Sequence, residues 1–240
     1  MPQRLHPVDN HLVASLPPRE RRALLQACET VDLVFGQILC EPDMPFRYLH
    51  FPLTSFISLV VEIRDHSPLE MGMIGHEGVL GATVVLGINT APMRGIVQGA
   101  GTALRIAVKP LLLLLVTSPV LRKLLNRYLY VVMAQLSQIA TCTHFHEVEQ
   151  RLARWLLMSH DRSHGDHFHL THQFLADMLG VRRSGITQAA GVMQSRGLIR
   201  YTRGDIEVLD RAGVERLSCE CYADVVADYV GQFGRPAGPC

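Results

Sequence analysis

The sequence lacks a charge imbalance. Its 23 lysines and arginines face 22 aspartates and glutamates over 240 residues, a formal net charge of +1. No overall basic field announces a polyanion partner, so any such field must be local. A long apolar run is also missing. The longest purely aliphatic one, Leu111 to Val116, falls far short of the roughly 20 residues that cross a bilayer. The start, MPQRLHPVDN, has no apolar signal core. Six cysteines (Cys28, Cys40, Cys142, Cys219, Cys221 and Cys240) are too sparse for a secreted disulfide scaffold. These absences lead us to expect a reduced, cytoplasmic protein with no membrane partner. Catalytic signatures are absent too. There is no G-x-S-x-G, no P-loop, and no paired arrangement among carboxylates such as Asp9, Glu20 and Glu41. No residue is expected to be catalytic, so neither an enzyme nor a cofactor is expected.

What is present changes character along the chain. Two short helices are expected around Pro17-Pro18, with Leu24 and Leu25 as core contacts. From Val31 to about Val108, short β-rich runs (RYLHFPL, SFISLVVEI, LEMGMI, MRGIVQ, TALRIAV) alternate with Gly and Pro. Strands at such spacing suggest an antiparallel roll or barrel. At Ser118 the pattern switches. SPVLRKLLNRYLYVVMAQLSQIATCTHF has no internal Gly or Pro and opens with Ser118 as cap and Pro119 at the first helical position. Leu121, Leu125, Tyr128, Val132 and Ile139 fall on a 3.5-type seam, with Gln135 as its polar break. Leu124, Leu129, Met133 and Leu136 widen the stripe beyond one face. A helix apolar over more than one face needs two covering surfaces, its own domain and a second copy of the chain. The seam is therefore assigned to dimerisation. A further helix, about Glu147 to Asp161, buries Leu152, Trp155, Leu156 and Met158.

The local basic field lies in LTHQFLADMLGVRRSGITQAAGVMQSRGLIRYTRGDIEVLD. Between Arg182 and Arg203 it holds five arginines and no acid. Thr171 can cap a helix whose inward residues are Leu175, Met178 and Leu179, and Gly180 permits a sharp turn after it. A second helix follows from about Arg183 to Ser195, with Ile186, Ala189, Ala190 and Met193 at i, i+3, i+4 and i+7. Its outward face carries Ser184, Thr187, Gln188, Gly191 and Ser195 rather than Glu and Lys. Short hydroxyl and amide side chains suit base edges in a major groove, and Arg182 and Arg183 sit where a helix N-terminus favours phosphate. LIRY and DIEVLD then read as a hairpin around Thr202-Arg203-Gly204, with Arg200 and Arg203 near its tip. Helix, turn, helix and β-wing make a winged helix-turn-helix whose DNA-facing set is Thr171, Arg182, Arg183, Ser184, Thr187, Gln188, Arg200 and Arg203. The charge is local because only this edge meets a polyanion.

At this point the chain resembles the Crp/Fnr family of bacterial transcription regulators over nearly its whole length. RLARWLLM followed by LTHQFLADMLGVRRSGITQAAGVMQSRGLI looks like that family's DNA-binding domain. The resemblance implies an α+β architecture. Residues 1–117 would form an N-terminal antiparallel, cyclic-nucleotide-binding-like β-roll sensor, 118–143 a dimerisation helix, and 144–240 a C-terminal winged helix-turn-helix domain. It implies a homodimer on double-stranded operator DNA, RNA polymerase as a partner, and a small-molecule effector whose identity stays open. By position, Arg183, Ser184 and Gln188 match the family's base-reading residues, though Ser184 and Gln188 depart from the best-known pattern. In the sensor, GHEGVLGA places Glu77 as the glutamate of a phosphate cassette. APMRGIVQ offers Met93-Arg94 where Arg-Ser or Arg-Thr is expected, leaving Arg94 as a shifted ligand-binding candidate. Without that charge-assisted contact, cyclic AMP is not the expected signal.

Two other groupings keep a second reading open, a metal- or thiol-dependent redox sensor or enzyme. HGDHFHLTH brings His164, His167, His169 and His172 close in sequence, but His167 and His169 alternate as on a strand, and no Cys lies at finger spacing. Cys219-Glu220-Cys221 is C-x-C rather than the thioredoxin C-x-x-C. Cys28 and Cys40, twelve apart, do not form the N-terminal cysteine cluster of the family's oxygen-sensing branch. No metal is expected from either grouping.

Overall fold

The computed structural model describes residues 10–163, 167–202 and 204–234. It is a mixed helix and sheet fold that divides into two compact units. The first holds the chain up to Leu59, then Met73–Val132 and the chain from Val230; the second holds Val60–Gly72 and Met133–Tyr229.

Helices α1 (His11–Ala14) and α2 (Pro18–Ala27) open the first unit, and Leu24 is fully buried as expected. The roll follows as β1 (Glu29–Leu33), β2 (Ile38–Cys40), β3 (Tyr48–Pro52), β4 (Phe56–Val61), β5 (Leu69–Ile74), a 3-10 turn at Ala82–Leu86, β6 (Arg94–Gly99) and β7 (Gly101–Ala107). One sheet has the order β1-β7-β3, antiparallel throughout, and the other β2-β6-β4-β5. Phe51, Ile57, Leu49 and Ile106 fill the space they enclose. The aliphatic run Leu111–Val116 is helical, inside α3 (Val108–Thr117). Leu111 and Leu115, four apart, enter the core, while Leu112, Leu113 and Val116 stay exposed.

Helix α4 (Pro119–Phe145) is the long helix expected from the uninterrupted pattern. Ser118 caps it, its hydroxyl accepting from the Leu121 amide at 3.2 Å. The anticipated seam has a different neighbour from the one expected. Leu121, Leu125 and Tyr128 are buried in the core of their own chain, and Val132 packs against the same cluster. Ile139 and Gln135 are buried as well. The helix instead exposes Val120, Tyr130 and Met133.

The second unit is built on α5 (Val148–His160), which starts with a reciprocal cap between Glu147 and Gln150. Trp155, Leu152, Leu156 and Met158 are buried on it, and the Trp155 indole donates to the Glu70 carboxylate at 2.9 Å. Next come β8 (His167–His169), α6 (His172–Leu179), α7 (Arg183–Ser195), β9 (Ile199–Thr202), β10 (Asp205–Val208), α8 (Arg211–Leu217) and α9 (Cys221–Phe233), whose residues from Val230 belong to the first unit. The three strands form an antiparallel sheet ordered β8-β10-β9. Among the described residues, no helix is long and apolar enough to cross a membrane.

Candidate nucleic-acid interface

Thr171 caps α6 through its hydroxyl, which accepts from the Phe174 amide at 3.1 Å. Gly180 ends the helix in the left-handed region at φ 63°, where a β-carbon would be strained and would also meet Leu69 at 2.9 Å. The chain turns through Val181 and Arg182 into α7, whose apolar stripe Ile186, Ala189, Ala190 and Met193 is buried. That burial fixes the rotation of the helix. Arg182, Arg183, Ser184, Thr187, Gln188, Gly191 and Ser195 consequently face outward and are exposed. The first turn carries no acid, so two guanidinium groups and the free amides of a helix N-terminus share one end.

Strand β9 of the wing packs on this helix. Gln194 accepts from the Tyr201 amide at 2.8 Å, joining α7 to β9. His172, at the start of α6, stacks on the Tyr201 ring with centroids 4.1 Å apart. Its Nδ1 meets the Thr187 hydroxyl at 3.0 Å, and that hydroxyl donates to the Arg183 carbonyl at 3.1 Å. Burial holds the His172 pKa below its ordinary value, and the Arg183 charge pushes the same way. A neutral His172 thus ties α6, α7 and β9 together. Nothing in the sequence pattern separated this histidine from its neighbours, because its partners lie 15 and 29 residues away.

Thr171, Arg182, Arg183, Ser184, Thr187 and Gln188 thus share the α6–α7 region with exposed side chains, although the hydroxyls of Thr171 and Thr187 are engaged within the chain. Arg200 differs from expectation, forming an ion pair with Glu207, its cross-strand partner on β10. Arg203 and His164 lie outside the described residues. Of the remaining histidines, His167 and His169 are on β8, where they face Glu207 at 3.8 Å and Asp205 at 2.8 Å. In the roll, Glu77 turns back on its own loop and accepts from the Gly75 amide at 3.1 Å. Arg94 donates to Glu41 at 2.8 Å. Its guanidinium therefore already has a carboxylate for a partner. Among the described residues, the one group of His, Cys and acidic side chains close enough to share an ion is Cys142, His146, Cys219 and Cys221. Only its C-x-C half was visible in the sequence.

An antiparallel roll and a winged helix-turn-helix, separated in sequence by a long helix, define the class of fold. Similarity to known proteins narrows it. Residues 150–217 match the Crp-like helix-turn-helix domain family, so this stretch is a Crp-like helix-turn-helix domain. Most of the chain shares the fold of Crp/Fnr-family transcription regulators. It superposes on a regulator ascribed to that family from Eubacterium rectale with TM-score 0.67 and 15% identity, covering 86% of this chain and 96% of the other. FixK2 from Bradyrhizobium japonicum gives 0.66 and 12%, covering 80% and 98%. A CRP/FNR-family regulator from Thermus thermophilus gives 0.64 and 20%, covering 79% and 98%. No curated protein sequence matches the chain.

Proposed function

We propose that this protein is a homodimeric transcription regulator that reads operator DNA with α7 and answers a signal received in the roll. The observation that carries this reading is the outward face of α7. It is exposed, free of acid, made of short hydroxyl and amide side chains, and headed by Arg182 and Arg183. Arg183, Ser184 and Gln188 meet base edges, while Arg182 and Arg203 meet phosphate. Thr187 presents its methyl group to the groove, since its hydroxyl is held by His172. The Arg200–Glu207 pair makes Arg200 a weaker phosphate contact than its charge alone suggests.

Signal and reading heads are coupled through α4. Gly78 lies so close beneath the Tyr128 hydroxyl that a β-carbon there would overlap it. The loop that carries Glu77 is thereby packed directly on the long helix, and a ligand that shifts this loop shifts Tyr128. Such a signal acts by biasing two states of the dimer rather than by creating a new one. Cyclic AMP does not fit as that signal, because Met93 offers no charge-assisted contact and Arg94 is paired with Glu41. A dimer also requires a self-complementary face, and the exposed Val120, Tyr130 and Met133 of α4 supply apolar side chains that the chain's own core leaves uncovered. RNA polymerase is the further partner such a regulator meets.

The test is selection of bound fragments from genomic DNA, followed by titration of the recovered site against a scrambled duplex. A recovered two-fold symmetric site bound at least about a thousandfold more tightly than the scrambled duplex is the expected result. Equal, weak affinity for both duplexes would discard the regulator reading.

A further inference from the structure

The end of α4 and the start of α9 converge on four side chains that the DNA-binding reading does not use. Cys142 lies in the last turn of α4, and His146 follows the helix end, four residues on and on the same side. Cys219 lies in the connection from α8, and Cys221 is the first residue of α9. Cys142 Sγ and Cys219 Sγ are 3.6 Å apart, and Cys221 Sγ and His146 Nδ1 are 3.5 Å apart. All four donor atoms fall within 4.8 Å of one another. Three buried thiols by themselves would be ordinary packing, since free cysteine behaves as a small hydrophobe. This group forms a buried cluster of its own, Cys142, Cys219 and Cys221, and all three thiols are free.

Two of the separations match the edges of a tetrahedron of metal ligands, and every other pair lies within 4.8 Å. Sulfur sits about 2.3 Å from zinc and histidine nitrogen about 2.0–2.1 Å, so tetrahedral angles put two sulfurs about 3.8 Å apart and a sulfur and a nitrogen about 3.6 Å apart. Both observed separations lie within a few tenths of an ångström of those edges. An iron–sulfur cluster would hold its ligands around a larger body, so a single ion fits better. The histidine is prepared for the role. Its Nε2 faces the Glu220 carboxylate at 3.2 Å, which fixes the proton on that nitrogen and leaves the Nδ1 lone pair toward the sulfurs. Three thiolates and one divalent ion leave net negative charge. The buried guanidinium groups of Arg151 and Arg154 are in electrostatic reach of Cys142 and offset it.

We propose that Cys142, His146, Cys219 and Cys221 bind one zinc ion. Each coordinating thiol releases its proton to solvent as the metal enters. With four protein ligands and no open position, the site is structural. It clamps the C-terminal end of α4 to the first turn of α9, two segments about 75 residues apart in sequence. The proposal stands independently of DNA binding, because both the ligands and the readout are separate from α7.

The full chain, reduced, stripped with chelator and then given equimolar zinc or cobalt(II), tests it. About one zinc per chain is expected by elemental analysis. The cobalt form should show the intense visible bands and thiolate charge-transfer absorption of tetrahedral coordination. Three of the six cysteines should become resistant to a thiol reagent. The Cys28→Ser/Cys40→Ser variant should bind as the parent does, and Glu220→Ala, which removes only the outer carboxylate, should weaken zinc roughly 10–100-fold. Cys142→Ser and Cys221→Ser should each weaken it at least as much. Should those two fail to fold, the cobalt spectrum of the unaltered chain still decides. A reduced chain that takes up no stoichiometric metal, or whose cobalt spectrum is weak and octahedral, overturns the proposal, as does unchanged binding by a folded Cys142→Ser chain.

Discussion

Gln188 stands exposed one helical turn beyond Ser184, on the face of α7 that the buried stripe turns outward. Its amide can both donate and accept, which suits the paired acceptor and donor of an adenine edge. Gln188→Ala should therefore cost about 1–3 kcal/mol on the recovered operator and much less on a scrambled duplex, read by fluorescence anisotropy. The fold should not suffer, because alanine is the better helix former. Equal loss on both duplexes would move this residue from reading sequence to holding backbone. His50 makes a different kind of prediction. It is buried between strands, and burial, reinforced by the Arg105 charge, lowers its pKa from 6.5 to about 4. In the window between those values the unfolded chain binds the proton and the folded chain does not, so stability rises with pH there. The roll should keep the full His50 contribution above pH 6.5 and lose about 2 kcal/mol of it by pH 5. Urea unfolding of the parent and of His50→Gln at both pH values isolates that share. A His50→Gln chain that loses as much stability at pH 5 as the parent would show the acid sensitivity to lie elsewhere.

At the scale of elements, α4 has two faces with opposite fates. One is filled by Leu121, Leu125 and Tyr128 against the roll, and the other leaves Val120, Tyr130 and Met133 exposed. Replacing Tyr130 and Met133 together with Glu should give folded monomers, seen as a halved mass in sedimentation with unchanged circular dichroism. Leu125→Glu should instead destabilise the chain by several kcal/mol, since it buries a charge among apolar side chains. If Leu125→Glu gave a stable monomer while the surface pair stayed dimeric, the roles of the two faces would be reversed. This contrast also shows what the sequence carried. The helix itself was legible, because 27 residues without internal Gly or Pro leave little choice. So were α6, α7 and the hairpin, each marked by a cap, a glycine or a strict period. Which face of α4 meets the roll was not, because a helix apolar on several sides carries no label for the surface that covers each side. The run Leu111–Val116 gave no period at all, and only the spacing of its two buried residues in α3 reveals one. The zinc ligands were hidden for a third reason. Cys142 and His146 look like any i, i+4 pair until the α8–α9 connection and the start of α9 bring Cys219 and Cys221 beside them.

For the whole molecule, the near-zero net charge matters as much as the local field. On the proposed reading, a chain with a formal charge of +1 gains little from long-range attraction to DNA, so its affinity must come from local contacts between arginines and phosphate. That makes the salt dependence countable. Arg182 is exposed at the N-terminal cap of α7 and occurs once per subunit, so a dimer presents it twice. Each phosphate contact contributes about 0.9 to the slope of log affinity against log salt, and Arg182→Ala should flatten that slope by about two units. Operator and scrambled duplexes should weaken alike, in contrast to Gln188→Ala. The same two-fold arrangement predicts a spacing rule. Two recognition helices of one dimer enter half-sites about one DNA turn apart, or a multiple of it, so inserting half a turn between the half-sites puts the second on the wrong side of the duplex. Affinity for the lengthened site should fall to that of a single half-site, and restoring a full turn should recover part of it. Titrations over several salt concentrations on the three duplexes measure both effects. A slope lowered by only about one unit, together with indifference to spacing, would mean that the chain binds DNA as a monomer.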